Sequence, residues 1–333
     1  PAEERPADYH GVSPFDPVTG KPLRTAKMDF SHVFGQELTA LAGEDGRVCA
    51  ITAAMQEGTG LTEFARKYPD RLFDVGIAEG HAVSMAGGMA KQGLVPVFAV
   101  YSSFLQRGYD QLLQDVALDG LHVVLGVDRA GLVGTDGETH HGCFDALYLS
   151  QVPHMTVLCP ASFAELRQML RRAVLELTGP VAVRYPRSGE GAYQDCCGNE
   201  TFTQVRPGAD CTILTYGVLI NEALAAAELL HEAGVETRVV KLNAIAPLDG
   251  DAVLAALGSE KRLLVLEDCV GSGCVGQRLT AILAQRGRMP ERLILKNLGD
   301  TIPCHGTVPQ LYAQCGLDAA SVAAALKEAC HEQ

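Results

Sequence analysis

The sequence predicts an α/β protein built as two doubly wound α/β domains, each a mainly parallel sheet with helices on both faces. Short apolar segments such as VPVFAVY (Val95 to Tyr101) and CTILTYG (Cys211 to Gly217) alternate with longer amphipathic stretches. That alternation is the pattern of buried parallel strands joined by crossover helices. The chain has 333 residues, enough for about two cores. A stretch of weak periodicity rich in Gly, Cys, Asn and Pro divides the alternation in two. The expected units are an N-terminal arm over 1–28, a first domain over 29–187, a linker over 188–208 and a smaller second domain over 209–333.

The arm contains RPADYHGVSPFDPVTGKP, Pro-rich and without a packing period. Asp29 or Ser31 can then cap a helix running to about Ala42. RVCAITAA (Arg47 to Ala54) reads as a buried strand, Leu61 to Lys67 as a short helix and RLFDV (Arg71 to Val75) as a strand. A helix from Glu79 to about Gln92 stops at Gly93, a common stop signal. The strand VPVFAVY leads into one helix, SSFLQRGYDQLLQDVAL (Ser102 to Leu118). LHVVLGVD (Leu121 to Asp128) is a strand, and a Gly-rich loop spans Arg129 to Gly142. Strand MTVLC, a helix over 162–177 and strand PVAVRYP close the first domain. The second repeats the alternation: CTILTYG, helix 219–233, ETRVVKL, helix 249–257, RLLVLED, helix 275–286, ERLILKN and a last helix from about Asp318.

Composition narrows the function. Hydrophobic residues make up 47% and charged residues 20%, ordinary for a globular enzyme. The net charge of −13 argues against nucleic acid or an anionic membrane as partner. It leaves room for a phosphorylated small substrate, which needs only a few placed arginines. No apolar run is long enough to read as a membrane span. The eleven cysteines lack framework or CxxC spacing, which fits reduced thiols and a cytoplasmic location. The chain opens on Pro1 with no signal-peptide pattern.

Four loops follow the carboxyl ends of expected strands in the first domain, the edge where parallel sheets bind ligands. They carry Glu79 and His81; Tyr101, Ser102 and Ser103 leading to Phe104, Arg107 and Gln111; Arg129, Asp136, Glu138, His140, His141 and Asp145; and Arg184 and Arg187. Each has a plainer reading. Glu79 in a first helical turn also complements the helix dipole. Phe104 suits a core, and Arg107 can pair with Asp110 or Gln111 on the surface. His140 and His141 are neighbours, and no third His or Cys stands at ligand spacing, so no metal site is expected. GSGCVG (Gly271 to Gly276) only approaches a dinucleotide fingerprint.

Taken together, DVGIAEGHAV, VYSSFLQRGYDQ, DRAGLVGTDGETHHGCFD and VAVRYPR resemble the 1-deoxy-D-xylulose-5-phosphate synthases, thiamine-diphosphate enzymes of the transketolase superfamily. The resemblance runs from about Tyr9 to the end and implies a pyrimidine-binding domain followed by a transketolase C-terminal domain. The diphosphate-binding GDG tripeptide of the family does not occur here. Gly80, Gly108 and Ser188 stand where family members usually have Gln, Ala and Gly.

The resemblance implies decarboxylation of pyruvate and transfer of the two-carbon unit to glyceraldehyde 3-phosphate, feeding isoprenoid, thiamine and pyridoxal precursors. Glu79 would share a proton with the cofactor's pyrimidine ring. Tyr101, Phe104 and Arg107 would line the cofactor. Tyr101, Arg129, Asp136 and Arg187 would meet substrate, with Asp136 and His140 also serving the chemistry. Thiamine diphosphate is the expected cofactor, and its Mg²⁺ would be ligated by an N-terminal diphosphate-binding domain or chain. A homodimer, inactive without that half, is expected. The same layout would suit the β subunit of a 2-oxoacid dehydrogenase E1 component, a split transketolase small subunit or a catalytically silent partner.

Overall fold

The computed structural model describes residues 3–4, 12, 14–21, 23, 27–258 and 261–331. Much of the arm expected over 1–28 lies outside them. Among the described residues the strands are β1 (Val48–Thr52), β2 (Leu72–Asp74), β3 (Val95–Tyr101), β4 (Val124–Asp128), β5 (Thr156–Leu158) and β6 (Val181–Arg184), then β7 (Phe202–Arg206), β8 (Cys211–Tyr216), β9 (Thr237–Leu242), β10 (Ala244–Ala246), β11 (Arg262–Leu266) and β12 (Arg292–Lys296).

They form two sheets, as the alternation predicts. The first has the order β10-β5-β6-β4-β3-β1-β2, and the second β12-β11-β8-β9-β7. All pairings are parallel except two: β10 runs antiparallel to β5, and β7 antiparallel to β9. Residues of β1, β4, β6 and β8 are buried throughout, which explains why these strands read as unbroken apolar runs rather than alternating ones. β7 falls inside the stretch read as a linker, and β10 was not anticipated.

Two helices of the first domain start at a side-chain cap. Asp29 accepts the His32 N–H at 2.9 Å and opens the helix Phe30–Glu44. Ser162 does the same for Glu165 at the start of Phe163–Leu175. The helix expected over Ser102 to Leu118 is broken: Ser102–Leu105 is α, Gln106–Gly108 is 3₁₀, Tyr109–Gln111 is α and Leu112–Ala117 is π-helical. This broken helix lies hard against the helix Glu79–Lys91. A Cβ on Gly108 would stand 2.8 Å from a Val83 methyl, and one on Gly87 would stand 2.5 Å from the Asp115 carbonyl oxygen. Glycine at both positions permits the close approach, which carries Arg107 to Glu79.

Buried charge joins the two sheets. Arg184, at the end of β6, donates to Asp145 at 2.9 Å and to Asp268, beyond β11, at 3.0 Å. All three side chains are buried. Lys241 on β9 pairs with Glu165 at 3.0 Å, again without exposure. One apolar cluster runs from Ala82, Val83 and Phe98 of the first domain to Val265 and Leu279 of the second. The sheets therefore share a core, with buried ion pairs across it.

Candidate active site

β2 ends at Asp74, the chain turns through Gly76 at a φ of +69°, and Glu79 opens the helix Glu79–Lys91. Asp74 fixes this turn. Its Oδ1 accepts the N–H of Gly76 at 2.9 Å and the N–H of Ala54, in the loop after β1, at 2.8 Å. Ala54 is held at a φ of +59°, a conformation uncommon for a residue with a Cβ. The two loops are thus tied together just ahead of Glu79.

Glu79 is 3% exposed. Its Oε1 accepts from Arg107 Nη1 at 2.5 Å, and its Oε2 accepts no hydrogen bond among the described residues. The carboxylate borders a cleft of about 930 Å³ that is also lined by Tyr101, Phe104, Arg107, His140 and the loop from Ala53 to Gly58. Tyr101 and Phe104 stack with centroids 5.5 Å apart, and Phe104 and His140 meet in a T-shaped arrangement with centroids 5.3 Å apart. The Arg107 guanidinium lies 5.1 Å over Phe104. Burial, and secondarily the Arg129 charge, lower the His140 imidazole pKa and so favour its neutral form. Ile77, between the turn and Glu79, is 81% exposed at the mouth of the cleft.

Arg129, Asp136 and Arg187 are not among the residues that line this cleft. The Arg129 guanidinium packs 3.6 Å over the back of the Tyr101 ring, pairs with Asp128 at 3.0 Å and donates to the Gly58 carbonyl at 2.9 Å. It is buried rather than projecting into the cleft. Arg187 pairs with Asp136, and both stay partly exposed. Burial and the nearby Arg129 charge pull the Arg187 guanidinium below the usual arginine range.

Other residues named from the sequence go elsewhere. His81 is exposed on its helix. His141 turns away from His140: it is buried, accepts the Val133 N–H at 3.2 Å and lies 3.4 Å from the Cys304 carbonyl. Arg184 and Asp145 belong to the buried junction between the sheets. The Gly271 to Gly276 turn is closed by its own chain, because Glu267 accepts the N–H groups of Val275 and Gly276, both at 2.8 Å. Sequence reasoning missed Asp74, Gly58, Asp128 and Ser31. Asp74 opens the quoted motif, yet only the fold reveals that it bridges two loops.

Two family descriptions match the chain: Transketolase, pyrimidine binding domain, over residues 26–190, and Transketolase, C-terminal domain, over 201–322. The chain belongs to the transketolase family. It is 43% identical over 325 residues to the 1-deoxy-D-xylulose-5-phosphate synthase of Desulforudis audaxviator, covering 95% of this chain and 51% of that enzyme. Against the synthase of Clostridium kluyveri the identity is 42%, with 96% of this chain and 52% of that one covered. The chain spans about half the length of these curated relatives. Among solved structures, a split-gene transketolase described as an inactive β4 tetramer matches with a TM-score of 0.81 at 25% identity, over 91% of this chain and 99% of that one. A Pichia stipitis transketolase in complex with sedoheptulose 7-phosphate matches with a TM-score of 0.76 at 14% identity, over 98% of this chain and 48% of that chain, a likeness of fold. The family's pyrimidine-binding and C-terminal domains account for the two sheets.

Proposed function

We propose that this chain supplies the pyrimidine-binding half of a 1-deoxy-D-xylulose-5-phosphate synthase, joining the two-carbon unit of pyruvate to glyceraldehyde 3-phosphate. The observation that carries the reading is Glu79: a buried carboxylate with one oxygen free, beside an aromatic wall, in an open cleft. The residues present fit the pyrimidine end of thiamine diphosphate. Phe104 offers a flat apolar face, and Glu79 Oε2 an acceptor for a ring nitrogen. When bound, the cofactor supplies an electron sink for the carbon left by decarboxylation.

The chain's own groups have distinct tasks in this reading. Glu79 shares a proton with the pyrimidine nitrogen, and Arg107 holds the carboxylate in place. Tyr101 and Phe104 exclude water from one side of the cleft. Neutral His140 can take or return a proton at a substrate oxygen. Arg129 and Arg187 bring guanidinium groups suited to a phosphate, with Asp136 orienting Arg187. The diphosphate and Mg²⁺ are assigned to an N-terminal domain or chain, and the assembled enzyme to a homodimer of such halves. The split-gene transketolase likeness supports the view that this layout works as a subunit, and it keeps a split transketolase as the second reading.

The test mixes the chain with a synthase N-terminal half, pyruvate and glyceraldehyde 3-phosphate. The expected product is 1-deoxyxylulose 5-phosphate. Turnover of ketose phosphates in place of pyruvate would move the assignment to a split transketolase. By calorimetry the chain alone should bind thiamine diphosphate with Mg²⁺ weakly, and tight binding would refute the two-part site.

A further inference from the structure

Asp128 is the last residue of β4, fully buried at the centre of the first sheet. Burial pushes its carboxyl to about 6, even with Arg129 beside it. A buried carboxylate is costly unless its partners are well placed. Ser31, from the first turn of the helix Phe30–Glu44, donates to Oδ2 at 2.7 Å. Arg129 Nη1 stands 3.0 Å from Oδ1.

The backbone at Arg129 has a φ of +61°, a conformation L residues seldom adopt. The ladder with β6 nevertheless continues on both sides of Arg129, Tyr185 donating to Val127 and Ala130 to Tyr185, both at 3.0 Å. Arg129 Nη1 also reaches the Gly58 carbonyl, and the guanidinium backs the Tyr101 ring. Tyr101 in turn fills the space at Gly58, where a Cβ would stand 1.9 Å from its hydroxyl oxygen. The loops after β1, β3 and β4 are thus joined through one guanidinium. Its Nε is buried without a hydrogen-bond partner among the described residues, so the ion pair with Asp128 and the bond to Gly58 are what hold it.

We propose that Asp128, held by Ser31, is a positioning residue for the phosphate-recognition end of the cleft, acting through Arg129 on Tyr101 and the Gly58 loop. The inference rests on the reading of Arg129 as a group that meets the acceptor's phosphate. A neutral residue at 128 would avoid the burial cost; the charge supplies a fixed anchor for Arg129.

The experiment uses the chain reconstituted with its N-terminal half. Asp128→Asn, which removes the charge paired with Arg129, should raise KM for glyceraldehyde 3-phosphate about ten-fold. KM for pyruvate should move far less. Ser31→Ala, which keeps the carboxylate and decides the matter if Asp128→Asn fails to fold, should raise the acceptor KM about three-fold. With unphosphorylated glyceraldehyde the variants should differ little from the parent. An Asp128→Asn enzyme whose two KM values rise together, or an unchanged acceptor KM beside a raised one in Arg129→Lys, overturns the positioning role. An Arg129→Lys enzyme with an unchanged acceptor KM removes the phosphate reading of Arg129 itself, and this inference with it.

Discussion

Glu79 and Glu267 occupy matching places in the two sheets, each beyond the carboxyl end of a parallel strand and beside the start of a helix. Both are buried, at 3% and 0% exposure. Glu267 is saturated by its own chain. Its Oε2 accepts the Val275 N–H at 2.8 Å and the Tyr216 hydroxyl at 3.2 Å, and its Oε1 accepts the Gly276 N–H at 2.8 Å. It satisfies N–H groups that a helix start leaves without partners. Glu79 has one strong donor, Arg107, which is itself 56% exposed, and it keeps an oxygen for the cleft. Burial at a strand-to-helix junction therefore does not separate an architectural carboxylate from one that borders a cleft. What separates them is whether the chain has used up the acceptors.

The sharpest way to break this contrast is to neutralise each carboxylate. Glu79→Gln should lower turnover of the reconstituted enzyme roughly 10²- to 10⁴-fold, the range for a positioned acid or base. Its denaturation midpoint should move little, since the pair it loses is with a half-exposed arginine and contributes about 1 kcal/mol or less. Glu267→Gln should do the reverse. One of its acceptors becomes an amide that faces an N–H, leaving buried groups unpaired, at about 2–3 kcal/mol by urea denaturation. Turnover per folded molecule should hold. A large activity loss from Glu267→Gln, or a large stability loss from Glu79→Gln, would erase the distinction.

The same distinction explains what could be read in the sequence. Strands buried on both faces, such as VCAIT of β1 and CTILTY of β8, announce themselves as apolar runs. The edge strand β7 is half-buried and polar in FTQVR, and β10 is three residues that pair with β5 from a distant part of the chain. Neither has a local period to detect. The break in the helix after Tyr101 reflects a backbone crossing at Gly108 and Gly87, a tertiary fact. The helix Val308–Cys315 is different: Thr307 and Gln310 form a capping box and Gly316 ends it in the left-handed region, a signature present in the sequence and passed over. In the cleft, Glu79, Tyr101, Phe104, Arg107 and His140 were legible as a set of loops and do converge. Asp128 was not, because a carboxylate ending a strand acquires meaning only from Ser31, 97 residues earlier.

The smallest effect concerns the slack around Glu79. No side chain caps its helix, whose second residue is Gly80, whereas Cys274 and Glu267 secure the helix at Val275. Glycine inside a helix costs about 1 kcal/mol relative to alanine. A Cβ at Gly80 would stand 3.3 Å from the Gln111 side chain, close enough that Gln111 must shift by a few tenths of an ångström. Gln111 can do so cheaply, because its Oε1 is buried and accepts no hydrogen bond among the described residues. Gly80→Ala should therefore stabilise by about 0.5 kcal/mol, and by nearer 1 kcal/mol in a Gln111→Ala background, where the helix preference acts unopposed. A double-mutant cycle in urea reads the difference. Destabilisation by Gly80→Ala in both backgrounds would mean that the start of this helix is already as tightly fixed as the one Glu267 caps, and that the free oxygen of Glu79 is held rather than loosely offered.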